Sequence, residues 1–193
     1  MKGEWCYWMN AFSASECDKI IEQAKKLPEN FATIGYDNMP ADQNFRRSYV
    51  RWIDPVQNPE LTWVYEKFWL YQIKVNEDWF KFNVTSLPPL QFTEYDESYK
   101  GEYKLHQDVF WLSPKTTHRK LSMVLQLTDP NDYEGGVLSF EHVGGQPSDG
   151  DKVAMKQRGT IIAFPSFTFH RLEPVTKGKR YSLVAWFEGP KFQ

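Results

Sequence analysis

Three side chains in this sequence are suited to holding a transition metal: His106, Asp108 and His170. His106 and Asp108 flank a single residue, inside a run from Tyr103 to Trp111 that reads as a strand. Alternation along a strand sends residues i and i+2 to one face, so this imidazole and this carboxylate are expected to point together. His170 follows an apolar run, Gly159 to Phe164, and the turn-like Pro165-Ser166. Two imidazoles and one carboxylate cover one face of an octahedral ion and leave three positions open. Iron(II) suits that set where dioxygen and a chelating co-substrate must bind together. A zinc ion with a bound water would also fit it.

Arg180 comes ten positions after His170 (180 − 170) and shares a strand face with Ser182. A guanidinium grips a carboxylate with two parallel hydrogen bonds, and a hydroxyl can add a third. Such a clamp suits the far end of a dicarboxylate, and a zinc hydrolase has no standing need for it. Gln126 shares a strand face with Ser122 and Val124 and is a further candidate for that pocket. His118 lies in the polar stretch Pro114 to Arg119 and reads as solvated. His142 ends a strand before Gly144-Gly145 and has no neighbour at ligand spacing. Phe110 and Trp111 follow the His-x-Asp pair and either wall a substrate entrance or pack.

The elements that must position these residues change in texture along the chain. Ser13-Ala14-Ser15-Glu16 fits a capping box, and Cys17, Ile20, Ile21, Ala24 and Leu27 then recur at helical spacing up to Pro28. A second helix is expected from Asn58-Pro59, with Asn58 as N-cap, to about Phe80. Ser48 to Ile53 alternates as a strand between them. From residue 88, short strand-like runs are separated by turns: Leu90–Tyr95, Tyr103–Trp111, Leu121–Leu127, Val137–His142, Gly159–Phe164 and Arg180–Phe187. Two helices followed by such runs predict an α+β, mainly β chain, with an antiparallel sandwich or barrel in its C-terminal half.

A chain of 193 residues suits a single domain, with helices within 13–82 and the β core at about 88–190. Charge is evenly mixed, net −2, so no basic footprint argues for nucleic acid. Two cysteines, Cys6 and Cys17, cannot build a disulfide framework. The N-terminus lacks the apolar stretch of a signal peptide, and no run approaches the roughly 18 apolar residues of a membrane helix. A cytoplasmic protein with no membrane partner is the expectation. Aromatic residues make up 17% of the chain, enough for a bulky core and for an aromatic-lined cleft.

Taken together and in order, His106-x-Asp108, His170 and Arg180-x-Ser182 resemble the 2-oxoglutarate/iron(II)-dependent dioxygenases, in particular the prolyl 4-hydroxylase-like, PKHD-type branch. Gly135-Gly136-Val137-Leu138-Ser139-Phe140, Phe164-Pro165-Ser166 and the stretch Pro174 to Phe187 support the resemblance, which covers about residues 88–190. In the N-terminal half, Arg46-Arg47-Ser48 fits the branch's early strand. The resemblance implies a double-stranded β-helix, or jelly-roll, with the two N-terminal helices supporting one sheet. It implies iron held by His106, Asp108 and His170, with Arg180 and Ser182 holding the remote carboxylate of 2-oxoglutarate. Tyr95, in Gln91-Phe92-Thr93-Glu94-Tyr95, matches a tyrosine that hydrogen-bonds this co-substrate; Tyr103 is the fallback. The implied reaction consumes O2 and 2-oxoglutarate, releases succinate and carbon dioxide, and hydroxylates a C–H bond, with ascorbate as a candidate reductant. A prolyl residue in a peptide or protein is the leading substrate. A free amino acid or small metabolite is the alternative. A zinc hydrolase and a non-enzymatic jelly-roll binding module rank below.

Overall fold

The computed structural model describes residues 3–34, 39–40 and 42–193. In chain order, its strands are β1 (Cys6–Trp8), β2 (Asn30–Phe31), β3 (Thr33–Ile34), β4 (Met39–Pro40), β5 (Arg46–Arg47), β6 (Tyr49–Ile53), β7 (Leu90–Asp96), β8 (Glu102–His106), β9 (Thr117–Gln126), β10 (Tyr133–Gly135), β11 (Leu138–Glu141), β12 (Ile161–Pro165), β13 (Phe169–Leu172) and β14 (Val175–Pro190). The helices are α1 (Ala14–Ala24), α2 (Thr62–Val75) and α3 (Asp149–Lys156). The main sheet runs β1-β12-β9-β14-β7-β6-β2, with β10 added to β14. A smaller sheet runs β11-β13-β8-β5. All pairings are antiparallel, and the two sheets form the jelly-roll that the resemblance implies.

Alternation on the central strands divides the apolar residues into two cores. On β9, Leu121, Met123 and Leu125 face the helices, together with Ile161 and Ala163 of β12 and Leu183, Ala185 and Phe187 of β14. Cys17, Ile20 and Ala24 of α1 and Val64, Tyr65 and Phe68 of α2 complete that layer. The opposite faces contribute Val124, Ile162 and Phe164 to a second core shared with Leu138, Phe140 and Leu172 of the smaller sheet. The site lies at the open end of this second layer.

Helix α1 is bounded as its sequence predicts. The Ser13 hydroxyl accepts from Glu16 N–H, and the Glu16 carboxylate accepts from Ser13 N–H. The second helical segment is more divided than expected. Pro59–Leu61 form a 3₁₀ turn, α2 follows, and Asn76–Phe80 close it as a π turn. Asn58 does not cap it: its side chain accepts from Asp54 N–H and closes the preceding turn instead. A third helix, α3, was not expected from the apolar pattern. Its signal was the Ser148-x-x-Asp151 box, whose reciprocal hydrogen bonds are all made. No helix among the described residues is long and apolar enough to cross a membrane.

Candidate metal and co-substrate site

Strand β8 ends at His106, short of the expected Trp111. Asp108 therefore does not reach the site by strand alternation. The chain turns out of β8, and Asp108 N–H and Val109 N–H both donate to the Ser166 carbonyl, at 2.8 and 3.0 Å. That bond pair ties the Asp108 loop to the turn after β12. On the neighbouring strand β13, His170 sits directly opposite His106. Their ring centroids are 4.2 Å apart. Nitrogen and oxygen donors of His106, Asp108 and His170 all lie within 4.8 Å of one another.

Hydrogen bonds preset the donors. His106 Nδ1 lies 2.7 Å from the Lys104 carbonyl and His170 Nδ1 lies 2.9 Å from that of Thr168. A carbonyl only accepts, so each Nδ1 carries a proton and each Nε2 is turned toward the carboxylate. The two Nε2 atoms flank the carboxylate, 3.7 Å from Oδ1 and 3.6 Å from Oδ2. Ser122 Oγ donates to Asp108 Oδ2 at 2.6 Å, and Ser166 Oγ stands 2.9 Å behind it. Burial pulls the His170 pKa down to about 4, which keeps this imidazole neutral at pH 7. Burial alone would raise the Asp108 pKa, but His170 and His106 outweigh it and hold the carboxyl well below the usual range. A neutral His170 imidazole beside an ionised carboxylate matches the protonation states that metal coordination requires. Tyr103 completes the wall, its ring stacked on that of His106 at 3.5 Å.

Arg180 lies deeper in the same pocket, 2% exposed. Its Nη1 donates to Ser182 Oγ at 3.2 Å and its Nη2 to Gln126 Oε1 at 2.8 Å. Its Nε is buried without a partner. A buried guanidinium with an idle donor fits an anion that arrives from outside, and an open triad beside it fits a metal. Room for the arginine stem comes from Gly136, where a Cβ would come within 3.0 Å of Arg180 Cδ. Tyr95 pairs directly with Arg180 across β7 and β14, lines the pocket and holds its ring 5.6 Å from the guanidinium. Gln126 does not line the pocket; it touches Arg180 from behind.

The sequence model of the 2OG-Fe(II) oxygenase superfamily matches residues 90–188, more than half of the chain. This chain belongs to the 2OG-Fe(II) oxygenase superfamily. The chain is 40% identical over 68 residues to a PKHD-type hydroxylase of Synechococcus sp. (strain JA-2-3B'a(2-13)), covering 35% of this chain and 28% of that relative. It is 38% identical over 95 residues to a PKHD-type hydroxylase of Prochlorococcus marinus, covering 49% of this chain and 40% of that one. Thus it spans well under half the length of these curated relatives. In fold it is similar to the viral collagen prolyl hydroxylase of Paramecium Bursaria Chlorella virus-1, with a TM-score of 0.67 and 16% identity, covering 96% of both chains. A Trichoplax adhaerens prolyl hydroxylase in complex with a hypoxia inducible factor peptide fragment gives 0.73 at 16% identity, covering 96% of this chain and 83% of that one.

Other parts of this oxygenase's site were not foreseen. The outer cleft, about 460 Å³, opens from Asp108 and is lined by Arg46, Arg119, Trp52 and Trp186. His118 is not solvated as expected. It starts β9, is 5% exposed, and its Nδ1 accepts from Phe192 N–H at 3.2 Å. Phe192 covers it, a contact between residues too distant in sequence to be read locally. His142 is a surface residue in a left-handed conformation, as expected of a strand end. Phe110 lines the cleft, whereas Trp111 is half exposed and leans on Phe192.

Proposed function

We propose that this oxygenase hydroxylates a C–H bond using iron(II) held by His106, Asp108 and His170. In this reading Arg180, with Ser182, receives the remote carboxylate of 2-oxoglutarate, and Tyr95 donates a further hydrogen bond to the co-substrate. Gln126 is a positioning residue that holds the guanidinium at the angle the carboxylate needs. The observation that carries the reading is the idle Nε of buried Arg180 in the pocket where three metal donors converge. When bound, iron and 2-oxoglutarate supply oxygen activation, and decarboxylation yields succinate. The chain's own residues supply geometry. The Nδ1–H anchors fix both imidazoles, Ser122 orients the carboxylate, and Val124, Leu138 and Leu172 keep water from the inner pocket.

A prolyl residue in a peptide or protein is the substrate we favour, supported by the fold shared with solved prolyl hydroxylases and by a cleft open enough for an extended chain. A free amino acid is the second reading, and Arg46 and Arg119 in the cleft lining favour testing it. A reducing, cytoplasmic setting suits Cys6 and Cys17, whose thiols are buried, unpaired and pushed up by burial to about 12 and about 11. The test is succinate release from 2-oxoglutarate by the purified chain with iron(II). Oxygen-dependent release that vanishes in His106→Ala is expected. Release that is absent in the unaltered chain, or that zinc supports equally, refutes the proposal.

A further inference from the structure

The seven arginines divide by partner. Arg47 pairs with Glu102, Arg51 with Glu29 and Glu94, Arg158 with Asp18 and Arg171 with Glu141. Among the described residues, Arg46, Arg119 and Arg180 have no carboxylate within 4.0 Å, and these three line the two pockets that meet at Asp108. Burying a guanidinium without an anion is costly, so such a residue persists where an anion arrives. For Arg180 that anion is the co-substrate under the proposal above. Arg119 lines only the outer cleft, where Arg46 joins it from the border of both pockets, and it calls for a second one.

Arg119 projects from β9 with its guanidinium carbon 3.8 Å from the ring centre of Trp186 and 5.2 Å from that of Phe110. Among the described residues, its contact of hydrogen-bond type is a 3.5 Å approach of Nη1 to the Asp108 carbonyl. Burial pulls its pKa below the ordinary arginine value. The acids nearest to it are engaged elsewhere. Asp108 takes the Ser122 hydroxyl and faces the imidazoles, while Glu188 accepts from Thr117 and faces Lys115 at 3.9 Å. Arg46 is 4% exposed and lines both pockets. Its Nε donates to Ser48 Oγ at 2.9 Å and its Nη1 to the Thr33 carbonyl at 3.4 Å, and the guanidinium lies 4.5 Å over the Tyr103 ring. Trp186, which also lines both pockets, has an indole N–H without a partner. Stacked, partly desolvated guanidiniums are strong carboxylate receptors.

We infer that the outer cleft is a second carboxylate site, in which Arg119 and Arg46 grip a carboxylate carried by the molecule that is hydroxylated. The inference rests on the oxygenase reading above and adds the substrate class to it. The substrate is an acid: a free amino acid held by its α-carboxylate, or a peptide with an acidic side chain beside the target residue. Asp108, one of the three metal donors, borders both pockets, so the outer cleft opens onto the metal position. A substrate anchored at Arg119 therefore extends its target carbon toward the metal while Arg180 holds the co-substrate behind it.

The test uses the full chain with iron(II) and 2-oxoglutarate, without oxygen, and reads the visible charge-transfer band and tryptophan fluorescence. Two matched pairs are titrated: L-proline against L-prolinamide, and a blocked alanyl-prolyl-glutamate peptide against its glutamine counterpart. The acid of at least one pair should bind at least about tenfold more tightly than its neutral partner, since a hydrogen-bonded charge is lost in the latter. Preference in the first pair assigns a free amino acid, and preference in the second an acidic peptide. Arg119→Gln should abolish the preference and keep the band, with Arg46→Gln reducing it. Equal binding within both pairs, or no binding in either, overturns the inference without any variant. So does an acid preference that survives the double variant. A band that never forms overturns the metal reading, and this inference with it.

Discussion

Replacing Ser122 by alanine should loosen the metal without touching a ligand. Its hydroxyl has one proton, which goes to Asp108 Oδ2 at 2.6 Å; the 2.9 Å contact with Ser166 is then donated by Ser166. The result is a chain, Ser166 to Ser122 to Asp108, in a fully buried setting where each bond polarises the next. A hydrogen bond to a charged group contributes about 1.5–3 kcal/mol, which corresponds to roughly 10- to 100-fold in metal affinity. No water can take the place of the lost hydroxyl without a cavity opening, because Ser122 and Ser166 are both 0% exposed. The assay is anaerobic competition for iron(II), or for manganese(II) as its redox-stable stand-in, against a fluorescent chelator. Circular dichroism and thermal melting of the metal-free variant run alongside it. A folded variant whose metal affinity stays within about twofold of the parent refutes the claim that this hydroxyl orients the carboxylate.

Arg180→Gln keeps a donor but removes the charge, and should weaken 2-oxoglutarate by about 2–5 kcal/mol while leaving metal affinity unchanged; an unchanged midpoint in an anaerobic co-substrate titration refutes the clamp. His118 gives a pH test. Burial, then Lys191 and Lys120, hold its pKa below the ordinary value, so the unfolded chain takes up a proton near pH 6.5 that the folded chain resists. The unfolded state thus binds more protons as pH falls, and stability is lost below about pH 6.5. The urea midpoint of the parent should fall more steeply between about pH 7 and pH 5 than that of His118→Asn, and parallel curves refute the assignment.

Much of the site could be read from residue types and order. His106, Asp108 and His170 converge as the sequence suggested, and Arg180, Ser182 and Tyr95 line one pocket with them. The route to that geometry was less legible. Asp108 sits where alternation would put it, yet a loop tied to Ser166 carries it, because strand pairing between β8 and β13 extends only to His106. Ser122 was placed on the correct strand face without a role, since its partner lies 14 residues upstream across a turn. Arg46 and Arg119 have no local signature. Their meaning lies in what they do not pair with among the described residues, and that becomes visible only when those carboxylates have positions. His118 was misjudged for a related reason: polarity of neighbours in sequence says little when the cover comes from Phe192.

Strand β14 carries both halves of the oxygenase at once. Its even-numbered residues from Arg180 to Trp186 line the pockets, while Leu183, Ala185 and Phe187 fill the core under the helices. A single inserted or deleted residue here would exchange the two sets, burying arginine among leucines and lining the site with hydrocarbon. Length change on this strand is therefore barred to evolution on both counts, folding and chemistry together. Change in what the cleft admits must come instead from substitutions at fixed positions near its far end, such as Trp186, and from the loop after His106. The Arg180 end of the strand serves the inner pocket alone, and the Trp186 end borders both pockets.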